Sequence, residues 1–149
     1  MAALAANVVP MPRPDPATPV IERTYLCDAA DTFYLGCIPS VKNADGHIYL
    51  DNADADWGLG FCTKKVVTAA QDDPVVVAIT GIWWITAAAC ANASLLQKQL
   101  HPLAGSDNPA DVTATAATNC GGLGLLVHVD ATGVSGWINL DIRNIPTNS

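Results

Sequence analysis

The chain has 149 residues, which is enough for one domain with a proper hydrophobic core. Charged residues make up 14% of it, compared with about 25% in an average soluble domain. The net charge is −7, and the seven Lys and Arg residues form no basic stripe of the kind that neutralises phosphates, so direct DNA or RNA binding is not expected. With so few charges, either small polar side chains coat the surface or partner subunits cover much of it.

The first element along the chain is a proline-rich segment over residues 1–20. Its five prolines within ten residues remove backbone donors and favour extended angles between them. This predicts a stiff polyproline-like rod that is neither a helix nor a central strand. The segment is either a disordered tail or an arm that lies along a neighbouring subunit. The second interpretation makes six of its residues candidate interface contacts: Val8, Pro10, Pro12, Arg13, Pro14 and Pro16.

Residues 21–67 alternate short apolar runs with turn signals. Strands are predicted over 33–35, 47–50 and 61–67. The turn sequence Asn43-Ala44-Asp45-Gly46 precedes the second of them and favours a hairpin connection. The acidic run 51–56 has oxygens at alternate positions, as a calcium loop does, but lacks the turn glycine and the bidentate glutamate. A solvated loop is therefore the favoured interpretation.

Seventeen consecutive uncharged residues follow at 75–91. They could form a membrane span, a buried helix, or two strand segments joined by a bend. A span needs about 20 apolar residues, and this run is shorter, with both tryptophans at its centre. The β-branched residues favour strands, and Gly81 predicts a bulge or sharp bend. Consecutive Trp83 and Trp84 must then face opposite sides. One belongs to the core and the other meets a second packed layer or a neighbouring subunit, so both are candidate interface residues.

The remaining sequence contains one helix candidate and further strand patterns. Residues 91–100 could form a helix that His101-Pro102 would end. Residues 123–129 and 137–142 place apolar side chains at every second position, which is the period of a half-buried strand. We therefore predict a mainly β fold: an extended Pro-rich arm over 1–20, then a single β-sandwich or β-barrel-like domain over 21–149 with at most one short helix.

Few residues indicate catalysis or metal binding. The five cysteines and three histidines are widely spaced, whereas structural zinc sites show tight ligand pairs. Buried free thiols are expected, with Cys27–Cys37 left open as a disulfide because this pair is nearest in sequence. No nucleotide-binding or hydrolase motif occurs. No basic residue precedes an apolar core at the amino terminus, so no export signal is predicted. We expect no enzyme activity, no catalytic residue, no metal and no cofactor.

Five pieces of the second half, within residues 74–143, follow one another in a recognisable order. They are a β-run with a glycine and aromatics, an Ala/Thr-rich middle, a glycine-led apolar strand, a small-residue turn and a last strand: VVVAITGIWWITAAA, DVTATAATN, GLGLLVHV, DATGVSG and WINLDI. This order resembles that of the small β-rich capsid decoration, or cement, proteins of tailed bacteriophages.

The resemblance implies a viral structural protein. It would bind the outside of an assembled head as a homotrimer, bridge copies of the major capsid protein, and reside on the virion after assembly in the host cytoplasm. Its partners would be the major capsid protein and its own copies, with no nucleic acid and no membrane. Two other functions stay open: a soluble β-sandwich module that binds a carbohydrate or another surface ligand through exposed aromatics, and a small enzyme or enzyme subunit.

Overall fold

A computed structural model describes residues 11–42, 44–50, 57–91, 95–102, 108–109, 112–113, 122–130 and 134–142. Within these ranges the chain is mainly β, as the alternating pattern predicted, and a 3₁₀ turn at Ala88–Ala91 supplements the strands. The strands in chain order are β1 (Arg13–Pro14), β2 (Glu22–Leu26), β3 (Thr32–Phe33), β4 (Ser40–Val41), β5 (Ile48–Tyr49), β6 (Trp57–Gly58), β7 (Phe61–Cys62), β8 (Val66–Val67), β9 (Pro74–Ala78), β10 (Ile82–Thr86), β11 (Gln99–Pro102), β12 (Val112–Thr113), β13 (Gly124–Val129) and β14 (Ser135–Asn139).

The largest sheet has six strands in the order β1-β10-β14-β13-β11-β12, and every neighbouring pair is antiparallel. Its centre is built from β10, β14 and β13, with Trp83 opposite Ile138 and Ile138 opposite Leu126. Residues in register share a face of the sheet, and all three of these side chains are buried on the face that meets the core. Three smaller antiparallel sheets complete the described structure, with the orders β2-β9-β7, β3-β8 and β5-β4-β6.

The uncharged run forms two strands in two different sheets. Strand β9 lies at the centre of the three-stranded sheet, whereas β10 belongs to the six-stranded one. The chain passes between them at Gly81, whose φ of +99° is a conformation that glycine adopts without steric cost. The Leu140 N–H donates to the Gly81 carbonyl at 2.9 Å and fixes the bend. The prediction of two strand segments with a bend at Gly81 is confirmed.

Two apolar cores lie on opposite faces of the sheet that contains β7 and β9. Phe61 and Ala78 belong to the first core, together with Trp83, while Cys62 and Val77 belong to the second. Successive residues of a strand point to opposite faces, so β7 and β9 supply one side chain to each core in turn. The sheet therefore lies between the two cores as a middle layer. Each large apolar side chain buried in either core contributes about 1.5–3 kcal/mol of transfer free energy.

Some predicted boundaries were wrong. The helix predicted over 91–100 is absent from its described part: residues 95–98 form a turn with Gln97 at a φ of +68°, and Gln99–Pro102 is strand β11. Long-range pairing overrides the local helix propensity, because Gln97 N–H donates to the Leu126 carbonyl at 2.8 Å. The strand predicted over 61–67 is two short strands, and the one predicted over 137–142 ends at Asn139. In the described ranges, no helix has the length and apolar character needed to cross a bilayer.

Candidate interaction site at the amino-terminal arm

The two consecutive tryptophans face opposite sides of β10, as predicted. Trp83 points inward, is only 4% exposed, and packs against Phe61 with ring centroids 5.0 Å apart. Its indole N–H donates to the Thr80 carbonyl at 2.9 Å, so the buried donor is satisfied. Trp84 lies half-buried on the other face. The layer that Trp84 meets is a segment of its own chain, the arm.

The arm adds a short strand to the edge of the six-stranded sheet. Arg13 is in register with Trp84, and Pro14 is in register with Trp83. The Arg13 guanidinium carbon lies 4.6 Å from the centroid of the Trp84 ring, which is a cation–π contact. Pro14 cannot donate a ladder hydrogen bond, and a proline is tolerated in this position because β1 is an edge strand.

A tight turn ties the arm to the domain immediately after β1. The Asp15 N–H donates to the Ile82 carbonyl at 2.7 Å, and the Ile82 N–H donates to the Thr18 hydroxyl at 3.2 Å. Asp15 also accepts from the Ala17 N–H through its carboxylate at 2.9 Å. Residues 15–18 are therefore anchored by directed hydrogen bonds. Strand β1 itself is held by its two-residue pairing with β10 and by the stacking of Arg13 on Trp84.

The outward face of this sheet carries two tryptophans and little charge. Trp84 is in register with Trp137 of β14, so both rings stand on the same face. Ile82 of β10 and Leu125 of β13, each in register with Asn139, share that face and are half-buried like the tryptophans. The outward side chains of the described strands β10, β13 and β14 include no Asp, Glu, Lys or Arg, and the exposed His128, in register with Trp137, stands on the same face. The centre of this face is therefore aromatic and low in charge, with the Arg13 cation at one edge and His128 beside Trp137.

A cavity of about 260 Å³ lies between the arm and the domain. The arm contributes Met11, Pro12 and Pro14, and the domain contributes Phe61, Trp83 and Cys62 among others. Most of these side chains are apolar, so the space suits an apolar group better than a charged one.

The structure describes six of the eight candidate interface residues. Val8 and Pro10 lie outside the described residues, as does the acidic run 51–56. Pro12 and Pro14 line the cavity, Arg13 stacks on Trp84, and Pro16 is exposed in the turn. Thus the arm and the tryptophans, which sequence analysis treated as separate candidates, meet at one site. Trp137 was missed, although the alternation of residues 137–142 is a signal that could have placed it on the face opposite to Ile138.

A polar cluster surrounds His47, which lines a second cavity of about 230 Å³. The His47 Nε2 atom lies 2.5 Å from a carboxylate oxygen of Asp72, and its Nδ1 lies 3.1 Å from Asp45 but is poorly aligned for a hydrogen bond. The hydrogen bond to Asp72, and next the contact with Asp45, raise the pKa of His47. Asp72 holds a φ of +71°, so the turn presents its carboxylate at some backbone cost. Sequence reasoning treated the three histidines as isolated and missed this cluster.

The cysteines in the described part of the chain are buried, with no disulfide among them: Cys27, Cys37, Cys62 and Cys90. No group of three potential metal ligands comes together among the described residues. Burial raises the pKa of the Cys90 thiol to about 11, so it stays protonated at neutral pH.

Comparison of the chain with protein-family models, with curated proteins and with solved structures finds no match in any of the three.

Proposed function

We propose that this chain is a structural protein that decorates the outer surface of an assembled tailed-phage head and stabilises the shell by bridging capsid subunits. Its partners are the major capsid protein and further copies of itself in a trimer. The observation that carries the proposal is the aromatic, low-charge outward face of the six-stranded sheet, edged by the arm.

That face has the chemistry of a protein interface. Interface cores are depleted in charged residues and enriched in Trp, and this face presents Trp84 and Trp137 side by side on neighbouring strands. Leaving two indole rings half-exposed to water has a free-energy cost that a partner surface removes. The low charge content of the whole chain, 14%, agrees with a surface that neighbours complete.

The arm suits a role in linking neighbours. Its strand is short and lies at an edge, so it can leave one sheet and add to an equivalent edge elsewhere, as exchanged strands do. Alternating prolines keep it extended in both positions, which lowers the entropy cost of docking. Three of the pieces that resemble decoration proteins contribute neighbouring strands, because β10, β14 and β13 are adjacent in one sheet.

Decoration of this kind acts mechanically. Each copy contacts several capsid subunits, so expansion or rupture of the shell must also break those contacts. A modest free energy per copy, repeated over a shell and reinforced by trimer avidity, sums to a large stabilisation.

The test introduces a charge on the proposed contact face. Trp84→Glu and Trp137→Glu should each lower occupancy on assembled heads of the source phage by at least about tenfold, because a buried unpaired carboxylate costs several kcal/mol. Co-sedimentation measures occupancy, and circular dichroism checks folding. Val67→Glu is the matched control, since Val67 is 68% exposed on a different sheet. Normal occupancy of both tryptophan variants would contradict the proposal.

Arm removal is best confined to residues 1–14. Residues 15–20 bond to the domain through Asp15 and Thr18, and the Pro19 carbonyl accepts from the Thr80 hydroxyl at 3.3 Å, so a deletion through residue 20 would also disturb the fold. Loss of residues 1–14 should weaken head binding and lower the temperature at which decorated heads rupture. Unchanged occupancy would exclude the arm from the contact.

A binding module is the second candidate, favoured by the cavity beneath the arm. Its aromatic floor, Phe61 and Trp83, fits a small apolar ligand or an apolar side chain of a surface partner. A module of this kind would bind its ligand as a free monomer, and Phe61→Ala would abolish binding in the absence of any particle. Isothermal titration against a panel of small apolar and carbohydrate ligands separates the two functions.

A further inference from the structure

Two buried thiols meet in the second core, although they are 25 positions apart in the sequence. The Cys37 and Cys62 sulfur atoms are 3.4 Å apart, and both residues are at most 1% exposed. Cys37 follows the turn after β3, and Cys62 ends β7.

The backbone holds these two residues opposite each other. The Cys37 N–H donates to the Tyr34 carbonyl at 3.2 Å, and Gly36 has a φ of +86°, as the third residue of a type II turn does. The Gly36 N–H then donates to the Cys62 carbonyl at 2.8 Å, and the Cys62 N–H donates to the Cys37 carbonyl at 2.9 Å. This is a glycine bulge, with Gly36 and Cys37 facing the single residue Cys62.

Such opposition suits a covalent link. Residues directly opposed on antiparallel strands have Cα atoms about 4.5–5.5 Å apart. Disulfides span Cα separations of about 4.4–6.8 Å. The sulfur atoms already touch, so bond formation requires small side-chain rotations and no rearrangement of the strands.

Cys62 is the one of the two residues that borders the cavity beneath the arm, together with Gly36 and Thr63. Its side chain belongs to the second core and is 1% exposed, so a small oxidant would reach the sulfur from the cavity across the β7 backbone. The other described cysteines have no thiol partner at contact distance: Cys27 donates to the Ala70 carbonyl at 3.1 Å, and Cys90 packs beneath Gly136.

We propose that Cys37 and Cys62 form an oxidisable dithiol that closes to an intrachain disulfide when a small peroxide enters the cavity beneath the arm. The Cys62 thiolate attacks one peroxide oxygen, breaks the O–O bond and becomes a sulfenic acid, and water leaves after taking up a proton. The Cys37 sulfur then attacks the Cys62 sulfur, the S–S bond forms, and the hydroxyl leaves as a second water with the Cys37 proton. Overall the two thiols lose two electrons and two protons, and one hydrogen peroxide becomes two waters.

The disulfide has a structural consequence. It ties the turn after β3 to β7 and closes the loop that includes β4, β5 and β6, so it restricts the unfolded chain. The oxidised protein should therefore melt at a higher temperature than the reduced protein. The arm covers the entrance, so the rate of oxidation also reports whether the arm is docked.

The experiment treats the folded full-length protein with hydrogen peroxide and identifies the linked peptides by mass spectrometry. Trypsin places Cys37 in peptide 24–42 and Cys62 in peptide 43–64, but peptide 24–42 also contains Cys27. The analysis therefore uses Cys27→Ser, whose hydroxyl can keep the bond to Ala70, beside the wild type. The expected product is peptide 24–42 joined to 43–64 with the loss of two hydrogens, in both proteins, reversed by dithiothreitol.

Two single variants test the order of attack. Cys37→Ser should leave the sulfenic acid on Cys62 without a resolving thiol, so dimedone labels Cys62 in this variant and much less in the wild type. Cys62→Ser should prevent both the link and dimedone labelling of Cys37. Removal of residues 1–14 should speed oxidation several-fold. The proposal is overturned if wild-type protein forms no Cys37–Cys62 link, if the link disappears in Cys27→Ser, or if Cys62 takes no dimedone in Cys37→Ser.

Discussion

Replacing Arg13 by Met tests how the arm is held. Met keeps a flexible apolar side chain over the Trp84 ring but removes the guanidinium. A cation–π contact at an exposed site contributes about 0.5–1 kcal/mol. Since about 1.4 kcal/mol corresponds to a factor of ten, its loss should raise the fraction of chains with an undocked arm about two- to fivefold.

The readout is hydrogen exchange at the Asp15 amide, which is protected by its 2.7 Å bond to the Ile82 carbonyl. Its exchange should quicken by the same two- to fivefold if undocking of β1 loosens the turn behind it. Arg23→Met is the control, because Arg23 is an exposed arginine on β2. The reasoning is refuted if Asp15 exchanges at the wild-type rate in Arg13→Met, or if Arg23→Met has the same effect.

Two further predictions concern stability. His47→Gln removes a group whose pKa is raised in the folded state, so wild type should be more stable than the variant below about pH 6.5. This difference in stability should vanish as pH rises through the folded pKa of His47. Urea unfolding midpoints at several pH values measure the difference. A difference that grows with pH would contradict the pairing of His47 with Asp72. Gly60→Ala would place a β-carbon 1.9 Å from the Ala78 carbonyl oxygen, so a loss of more than about 3 kcal/mol is expected. Gly46→Ala, with a φ of +76° but open space around it, should cost only about 1 kcal/mol, and equal losses would argue against the clash.

The parts of the fold that sequence predicted are those that local chemistry decides. β-branched residues on both sides of Gly81 favour strands, and a residue without a side chain permits the positive φ where the chain changes sheets. The opposite orientation of Trp83 and Trp84 follows from strand geometry alone. None of these inferences requires knowledge of a distant residue.

The parts that sequence missed depend on distant partners. Residues 95–100 satisfy the local rules for a helix, but Gln97 and Leu100 bond to β13 and its approach, which lie more than 20 positions away. Likewise, the spacing of the cysteines predicted free thiols and left only Cys27–Cys37 open as a pair, because these two are nearest in sequence. The structure opposes Cys37 to Cys62, because the turn at Gly36 directs the chain back along β7. Gly36, immediately before Cys37, was a local signal for the turn. The strand that this turn packs against, β7, could not be identified from the spacing of the cysteines.

Arm exchange between copies connects the docked arm with the proposed function. If β1 moves from its own β10 to the β10 of an identical neighbour, each contact that breaks is replaced by the same contact. The intrinsic free energy of exchange is then close to zero, and effective concentration decides which edge is occupied. In dilute solution the β10 edge of the same copy is the nearest docking position for the arm. On a shell, the β10 edges of neighbouring copies are held close to it as well.

We therefore expect self-docked arms in solution and exchanged arms on the head. Copies labelled with a donor at the amino terminus, mixed with copies labelled with an acceptor at the exposed Val67, should show no energy transfer when dilute and clear transfer after binding to heads. A mixture in which the donor copies lack residues 1–14 and carry the donor on residue 15 serves as the control for simple proximity, because its donor cannot travel with the arm. Equal transfer from both mixtures would mean that the arm stays on its own sheet, and that Trp84 and Trp137 alone make the contact.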